Sequence, residues 1–269
     1  MLQSEWQTWI DGWSKYGWVV LLPILERLFP TRAIGLTHKG IISDVYHTFD
    51  PLIRPTFVVF GVELLRFLLP GLSNGFLKIP STWPLWAHVL VIIFVSEFSF
   101  YWVHRLTHKV PLLWEFHRVH HSSTSYQSLM TSRFHPVDSL LFAAPYVFAV
   151  HTLGIRLEVV FWFGVFQSFM DRYGHSNING PRWTAYFITT PHFHAWHHST
   201  DQRAWDKNFS RDFVFLDYIL GTAFYPKGEI PKEFGEPGYP AHFHTQFFMP
   251  FVELWRRFSK KNRGPEIGQ

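Results

Sequence analysis

From Leu85 to Val103 the chain runs nineteen residues with one charge, Glu97, and passes without a break into His104. About 20 apolar residues at 1.5 Å rise cover a bilayer core, so this stretch reads as a membrane-crossing helix. Any fold must therefore place what begins at His104 at the end of a span.

Three histidine groups follow: His104-x3-His108, His117-x2-His120-His121 and, far downstream, His194-x2-His197-His198. Residues three and four apart share a helix face, so each group is expected to bring several imidazoles to one point. Neutral imidazole is a borderline ligand for iron, zinc, copper or nickel. The three groups hold eight histidines, more than one four-coordinate ion takes, which points to a two-metal centre. A single i, i+4 pair is a weak signal, because histidines also cap helices and hydrogen-bond at interfaces. Three groups beside aromatic, membrane-type sequence are unlike a low-complexity His tract. His38, His47, His88, His151, His242 and His244 are expected to be structural or exposed.

Aromatic residues make up 19% of the chain, with 13 Trp and 29 Phe, which suits surfaces facing lipid. A mean hydropathy of +0.01 fits a chain divided between apolar spans and a polar, His-rich part. There is no cysteine, which excludes disulfides, thiolate-held iron–sulfur clusters and a thiol nucleophile; any metal must be held by nitrogen and oxygen. The net charge of +4 is too small to indicate nucleic acid. Arg256, Arg257, Lys260, Lys261 and Arg263 crowd the C-terminal end, read as a solvated tail beside anionic lipid.

The opening MLQSEWQTWIDGW has no basic segment before its first apolar run and no small-residue cleavage site, so no removable signal peptide is expected. Tyr16 to Phe29 is apolar but short and interrupted by Pro23. Thr56 to Leu72 is apolar apart from Glu63 and Arg66, which lie three apart and are expected to pair. After His121, two apolar runs, Ser139 to Val150 and Leu157 to Phe169, are joined by a short turn at Gly154, which reads as a helical hairpin. If all three groups serve one centre, an even number of crossings separates His121 from His194, and the hairpin supplies it. The expected architecture is all-α: an integral membrane bundle of about four spans under a histidine-rich cytosolic cap. A single domain covers 1–269, with its core at about 90–225 and a cytosolic tail at 226–269. The loop at Ser73 to Pro84 holds only Lys78, so the positive-inside rule places the histidines and the C-terminus in the cytoplasm.

The set His104-x3-His108, His117-x2-His120-His121, Tyr173-Gly-His175-Ser-Asn177 and Pro191-x2-His194-x2-His197-His198 resembles the fatty acid hydroxylase/sterol desaturase superfamily of membrane di-iron oxygenases. Arg133-x-His135-Pro136-x-Asp138, Asp206-x-Asn208-Phe209 and Leu216-Asp217-x3-Gly221-Thr222 add to the match. The resemblance implies two iron ions, with zinc able to substitute, and O2 and two electrons used to hydroxylate or desaturate an unactivated C–H bond of a lipid. It implies as ligands His104, His108, His117, His120, His121, His175, His194, His197 and His198, with His135, in the family's His-Pro element, as a companion at the site. Asp171, four before His175, departs from many relatives and is able to bind iron or orient an imidazole. His192 stands where relatives often have Arg or another polar residue.

Glu97, seven residues before His104 and so on the same helix face, is a further candidate to hold a ligand from behind, as are Asp138 and Asp171. The spans and cap leave no room in 269 residues for a fused redox domain, so a separate ferredoxin- or cytochrome-type donor is expected. Two other readings compete. A non-catalytic metal-binding or transporting membrane protein would scatter ligands along a path through the spans. A one-zinc hydrolase would want about three protein ligands and an open position.

Overall fold

A computed structural model of the chain describes residues 17–32, 42–45, 53–73, 77–236, 238–240 and 242–262. The opening segment read for a signal peptide, together with His38 and His47, lies outside them. The described residues contain ten α-helices: α1 Trp18–Leu28, α2 Ile53–Leu68, α3 Pro70–Ser73, α4 Leu85–Lys109, α5 Pro111–His121, α6 Pro136–Leu153, α7 Leu157–Gly174, α8 Pro191–His197, α9 Phe215–Ile219 and α10 Phe243–Asn262. Extended pairing among them is limited to isolated bridges, so the all-α expectation holds.

Helix α4 is amphipathic in the reverse of the soluble sense. His88, Ser96, Glu97, Tyr101 and His104 are buried, while Trp86, Leu90, Phe94, Phe98, Trp102 and Leu106 form an exposed stripe four residues apart. A continuous apolar stripe of that length is seldom left facing water. Both α4 and α6 are long and apolar enough to cross a membrane. Of the other expected spans, α1 has 11 residues and α2 has 16. Helix α7 matches α6 in length but carries Glu158, Asp171 and Arg172. On α2, Arg66 and Glu63 pair at 2.6 Å, as their spacing anticipates.

Helix ends decide where the histidines point. Val110 is extended (φ −99°, ψ 112°) because it precedes Pro111, and Pro111 opens α5 at a position where its missing N–H costs nothing. This two-residue elbow folds α5 back on α4 and turns the last turns of both helices toward each other. Gly154, at φ 63°, caps α6 in a left-handed conformation that favours glycine, so the hairpin into α7 is tight. Thr190 caps α8 through its side chain, with Pro191 at the first helical position.

The C-terminal part differs from the solvated tail read from the sequence. Residues Phe243–Asn262 form the 20-residue helix α10, packed on α5. Phe251 meets Phe116 and His135, and Arg257 pairs with the buried Glu115.

Candidate metal centre

Nine imidazoles converge where α4, α5 and α8 meet the loop after α7. They fall into two groups, His104, His108, His117, His121 and His197, and then His120, His175, His194 and His198; in each, the nitrogens lie within 4.8 Å of one another. All but the half-buried His108 are buried.

The expectation that each sequence group meets one point is corrected by helix geometry. Adjacent residues diverge by about 100° on a helix, so an HH pair cannot aim at one target. His117 and His121, four apart, join the first group, whereas His120 joins the second. His194 and His198 belong to the second group and His197 to the first. Each x2-HH element thus feeds both centres. The two lie side by side, with the His121 and His198 ring centroids 4.4 Å apart.

In the first group all five Nε2 atoms are buried without a hydrogen-bond partner. Their orientation comes from the far side of the rings. His104 Nδ1 faces the Phe209 carbonyl at 2.8 Å, His197 Nδ1 the Lys207 carbonyl at 2.7 Å and His117 Nδ1 the Asp138 carboxylate at 3.0 Å. Each acceptor takes the ring N–H and leaves Nε2 as a lone pair aimed into the group. In the second group the Nε2 atoms face one another: His175 to His120 at 3.1 Å, to His194 at 3.0 Å and to His198 at 3.2 Å. His175 Nδ1 donates to the Asp171 carbonyl at 2.6 Å. Nitrogens bound about 2.0–2.1 Å from one ion stand roughly 3 Å apart, so this spacing fits a shared cation. Without one, crowded lone pairs would repel.

Burial, reinforced by the neighbouring imidazoles, drives the pKa values of His120, His121, His194 and His198 well below the ordinary imidazole value. Burial takes His175 down to about 4 and His197 to about 3. Neutral rings are the state that binds metal.

A short loop supplies the two backbone acceptors. Asp206 and Asn208 both adopt φ 58°, uncommon for residues with a Cβ, and they bracket Lys207, whose carbonyl meets His197. The Asn208 side chain donates to the Phe193 and Phe224 carbonyls and accepts from the Phe224 N–H, each within 2.8 Å. Asp217 then accepts from the Phe209 and Ser210 N–H groups and from Thr222. The Asp206-x-Asn208-Phe209 and Asp217-to-Thr222 motifs therefore hold a loop and contribute no side chain to the groups.

Four accompanying candidates separate. Asp138 touches His117 directly. Asp171 meets His175 through its backbone carbonyl, and its carboxylate pairs with Arg211 at 2.7 Å. Glu97 shares the buried face with His104, yet it accepts from the Asp212 N–H at 3.1 Å rather than from an imidazole. His135 sits apart as the cap of α6, accepting from the Val137 N–H and facing the Phe247 carbonyl. His192 faces the Gly180 carbonyl, outside both groups. Sequence reasoning missed Arg211 and the Lys207 and Phe209 carbonyls, since a backbone acceptor leaves no mark in residue identity. A cavity of about 390 Å³ opens beside His104, His117, His120, His175 and His194, walled by Phe100, Phe142, Ala143 and Val147.

Apolar helices with exposed aromatic stripes and two adjoining all-imidazole groups define a membrane protein with a candidate metal centre. The fatty acid hydroxylase family model matches residues 89–222. The ornithine lipid hydroxylase OlsE of Rhizobium tropici is 29% identical over 93% of this chain and 76% of its own length. The alkylglycerol monooxygenase of Danio rerio is 26% identical over 76% of this chain, which spans 45% of that relative. Methylsterol monooxygenase 1-3 of Arabidopsis thaliana is 25% identical over 68% of this chain and 65% of its own. No solved structure matches. The chain belongs to the fatty acid hydroxylase/sterol desaturase superfamily.

Proposed function

We propose that this protein is a membrane di-iron oxygenase that uses O2 and two electrons to hydroxylate an unactivated C–H bond of a lipid. The observation that carries this reading is the convergence of buried Nε2 atoms on two adjacent points. In this reading one iron is held by His104, His108, His117, His121 and His197, and the other by His120, His175, His194 and His198. When bound, the irons supply the redox chemistry that breaking an alkyl C–H bond requires and that side chains lack.

The chain's own residues supply placement and protection. Asp138 and the carbonyls of Asp171, Lys207 and Phe209 fix ring orientation and tautomer by accepting hydrogen bonds from the Nδ1–H groups. The mostly apolar cavity wall brings substrate to five of the histidines. That substrate is a lipid: the wall is aromatic and aliphatic, and the relatives named above act on ornithine lipid, alkylglycerol and methylsterol. Hydroxylation is favoured over desaturation because those three relatives are named hydroxylase or monooxygenase. A separate ferredoxin- or cytochrome-type protein supplies the electrons.

We place the chain in the membrane as a multi-pass protein of about four spans, with the histidines and C-terminus cytoplasmic. Helix α6 starts beside His117 at Asp138 and α7 ends at His175, so a hairpin that leaves the cap and returns to it fits the one-sided arrangement. Phe248, Trp255 and Phe258 of α10 are exposed beside Arg256 and Arg257, a composition suited to a headgroup interface. A transport reading predicts ligands strung through the spans, whereas these histidines gather in one cap.

The test is turnover in vesicles with a reduced ferredoxin couple and isotopically heavy O2. A lipid product carrying one heavy oxygen is expected. Metal-replete protein giving no labelled product across acyl, alkylglycerol, sterol and aminolipid substrates would contradict the proposal.

A further inference from the structure

The cavity wall carries one charged pair whose role the histidine groups do not explain. Arg211 donates to Asp171 twice, from Nε to Oδ1 at 2.9 Å and from Nη2 to Oδ2 at 2.7 Å. Its guanidinium lies over the Phe100 ring, with the central carbon 5.3 Å from the centroid. Both residues line the cavity, and their side chains keep 20% and 29% of their surface accessible. Among the described contacts, neither charged end hydrogen-bonds to an imidazole, and Arg211 Nη1 has no hydrogen bond. Yet the pair stands beside the second group, because the Asp171 carbonyl is what His175 Nδ1 bonds.

Removing two charges from water costs several kcal/mol per ion unless their remaining hydrogen-bonding capacity is met. An alkyl segment lying across this wall would leave Nη1 and the free carboxylate lone pairs unmet. A purely anionic head would gain from Arg211 but meet Asp171 as a like charge. A head bearing both an acceptor and an N–H or ammonium donor satisfies both partners. The cavity, about 390 Å³, is at the small end of the roughly 300–1,000 Å³ typical of ligand sites, so only part of a lipid enters it.

We propose that Arg211 and Asp171 form a headgroup site for a zwitterionic or amino-acid-bearing lipid, Arg211 taking its carboxylate or carbonyl and Asp171 its ammonium or amide N–H. Because the site adjoins His175, the carbon oxidised lies within a few bonds of the polar head, not in mid-chain. The regiochemistry rests on the oxygenase reading; the headgroup site does not.

The experiment is equilibrium binding to full-length protein as purified in detergent, held anaerobic so that no turnover occurs. Three probes share one chain: N-palmitoyl-lysine, monopalmitoylglycerol and palmitate. Wild type is expected to bind N-palmitoyl-lysine about tenfold or more tighter than the other two, as charge-assisted hydrogen bonds allow. Arg211→Met/Asp171→Leu is expected to lose that preference while holding monopalmitoylglycerol within about twofold of wild type. If this variant does not fold, Arg211→Gln/Asp171→Asn, which keeps a hydrogen bond across the wall, gives the same reading. Equal affinity of wild type for the three probes, or a preference that survives neutralisation, would overturn the headgroup site. Preference without turnover of any lipid would leave the site standing and defeat the oxygenase; turnover without preference would do the reverse.

Discussion

Asp138 acts on the first imidazole group at one remove. Its carboxylate accepts a hydrogen bond from His117 Nδ1–H at 3.0 Å and so commits the ring's other nitrogen to the first group. Asp138→Asn offers a donor and an acceptor to the same ring and no longer dictates its tautomer. Metal affinity is expected to fall about 10- to 100-fold, read by competition with a chromogenic chelator, with little change in fold; unchanged affinity would remove Asp138 from the centre. Asn208 does a different job, holding a left-handed turn and three hydrogen bonds. Asn208→Ala should destabilise by about 3 kcal/mol, from the strained φ and the lost bonds. Asn208→Gly, which spares the strain, should cost about 1–2 kcal/mol less in denaturant unfolding. Titration of the clustered histidines sets an acid limit. His175, at about 4, and His197, at about 3, lie below the unfolded value of about 6.5, so the unfolded chain binds more protons between those limits. Their contribution to the metal-free fold is therefore complete above about pH 6.5 and is lost as pH falls toward 4 and 3. Thermal melts of chelator-treated protein should be flat from neutral to about pH 6.5 and decline below it. At this scale the sequence was partly legible: spacing marked eight of the nine converging histidines and the family resemblance added His175, yet the division of the HH pairs between two points depends on helix phase.

Helix α4 was the most legible element, since a long apolar run admits few structures. Its continuation through His104 and His108 to Lys109 follows from their i, i+4 spacing, and Val110–Pro111 supplies the stop. Helix α10 was the least legible, because Arg256, Arg257, Lys260 and Lys261 crowd its sequence and make the segment resemble a solvated tail. Its docking rests on Glu115, which is buried and bridges Arg118 on its own helix and Arg257 on α10. Glu115→Gln should free α10 more than it unfolds the protein, because Arg257 is half exposed and reaches water easily. Limited proteolysis is expected to cut within 243–262 several-fold faster in the variant, with the histidine core intact. Equal cleavage rates would show that the aromatic contacts of Phe251 hold the helix alone.

Across the described molecule, inverted burial and the two imidazole groups are one design. Polar side chains on the inner faces of apolar helices can be kept only where something satisfies them. Here Glu97 and Asp217 cap loop N–H groups, Asp138 and three carbonyls take imidazole protons, and the remaining Nε2 atoms converge. The three histidine groups could be read because their spacing is local, while His175 entered only through the family resemblance. The loop carbonyls, the Arg211–Asp171 wall and the docking of α10 stayed hidden because each joins segments far apart in the chain. The central claim is that both imidazole groups hold iron. The most direct measurement is elemental analysis of protein purified anaerobically, as wild type and as His120→Ala/His197→Ala, which removes one ligand from each group. About two irons per chain in wild type, largely lost in the variant, are expected. Less than about one metal per chain, unchanged by the substitutions, would contradict the ligand assignment and the oxygenase built on it.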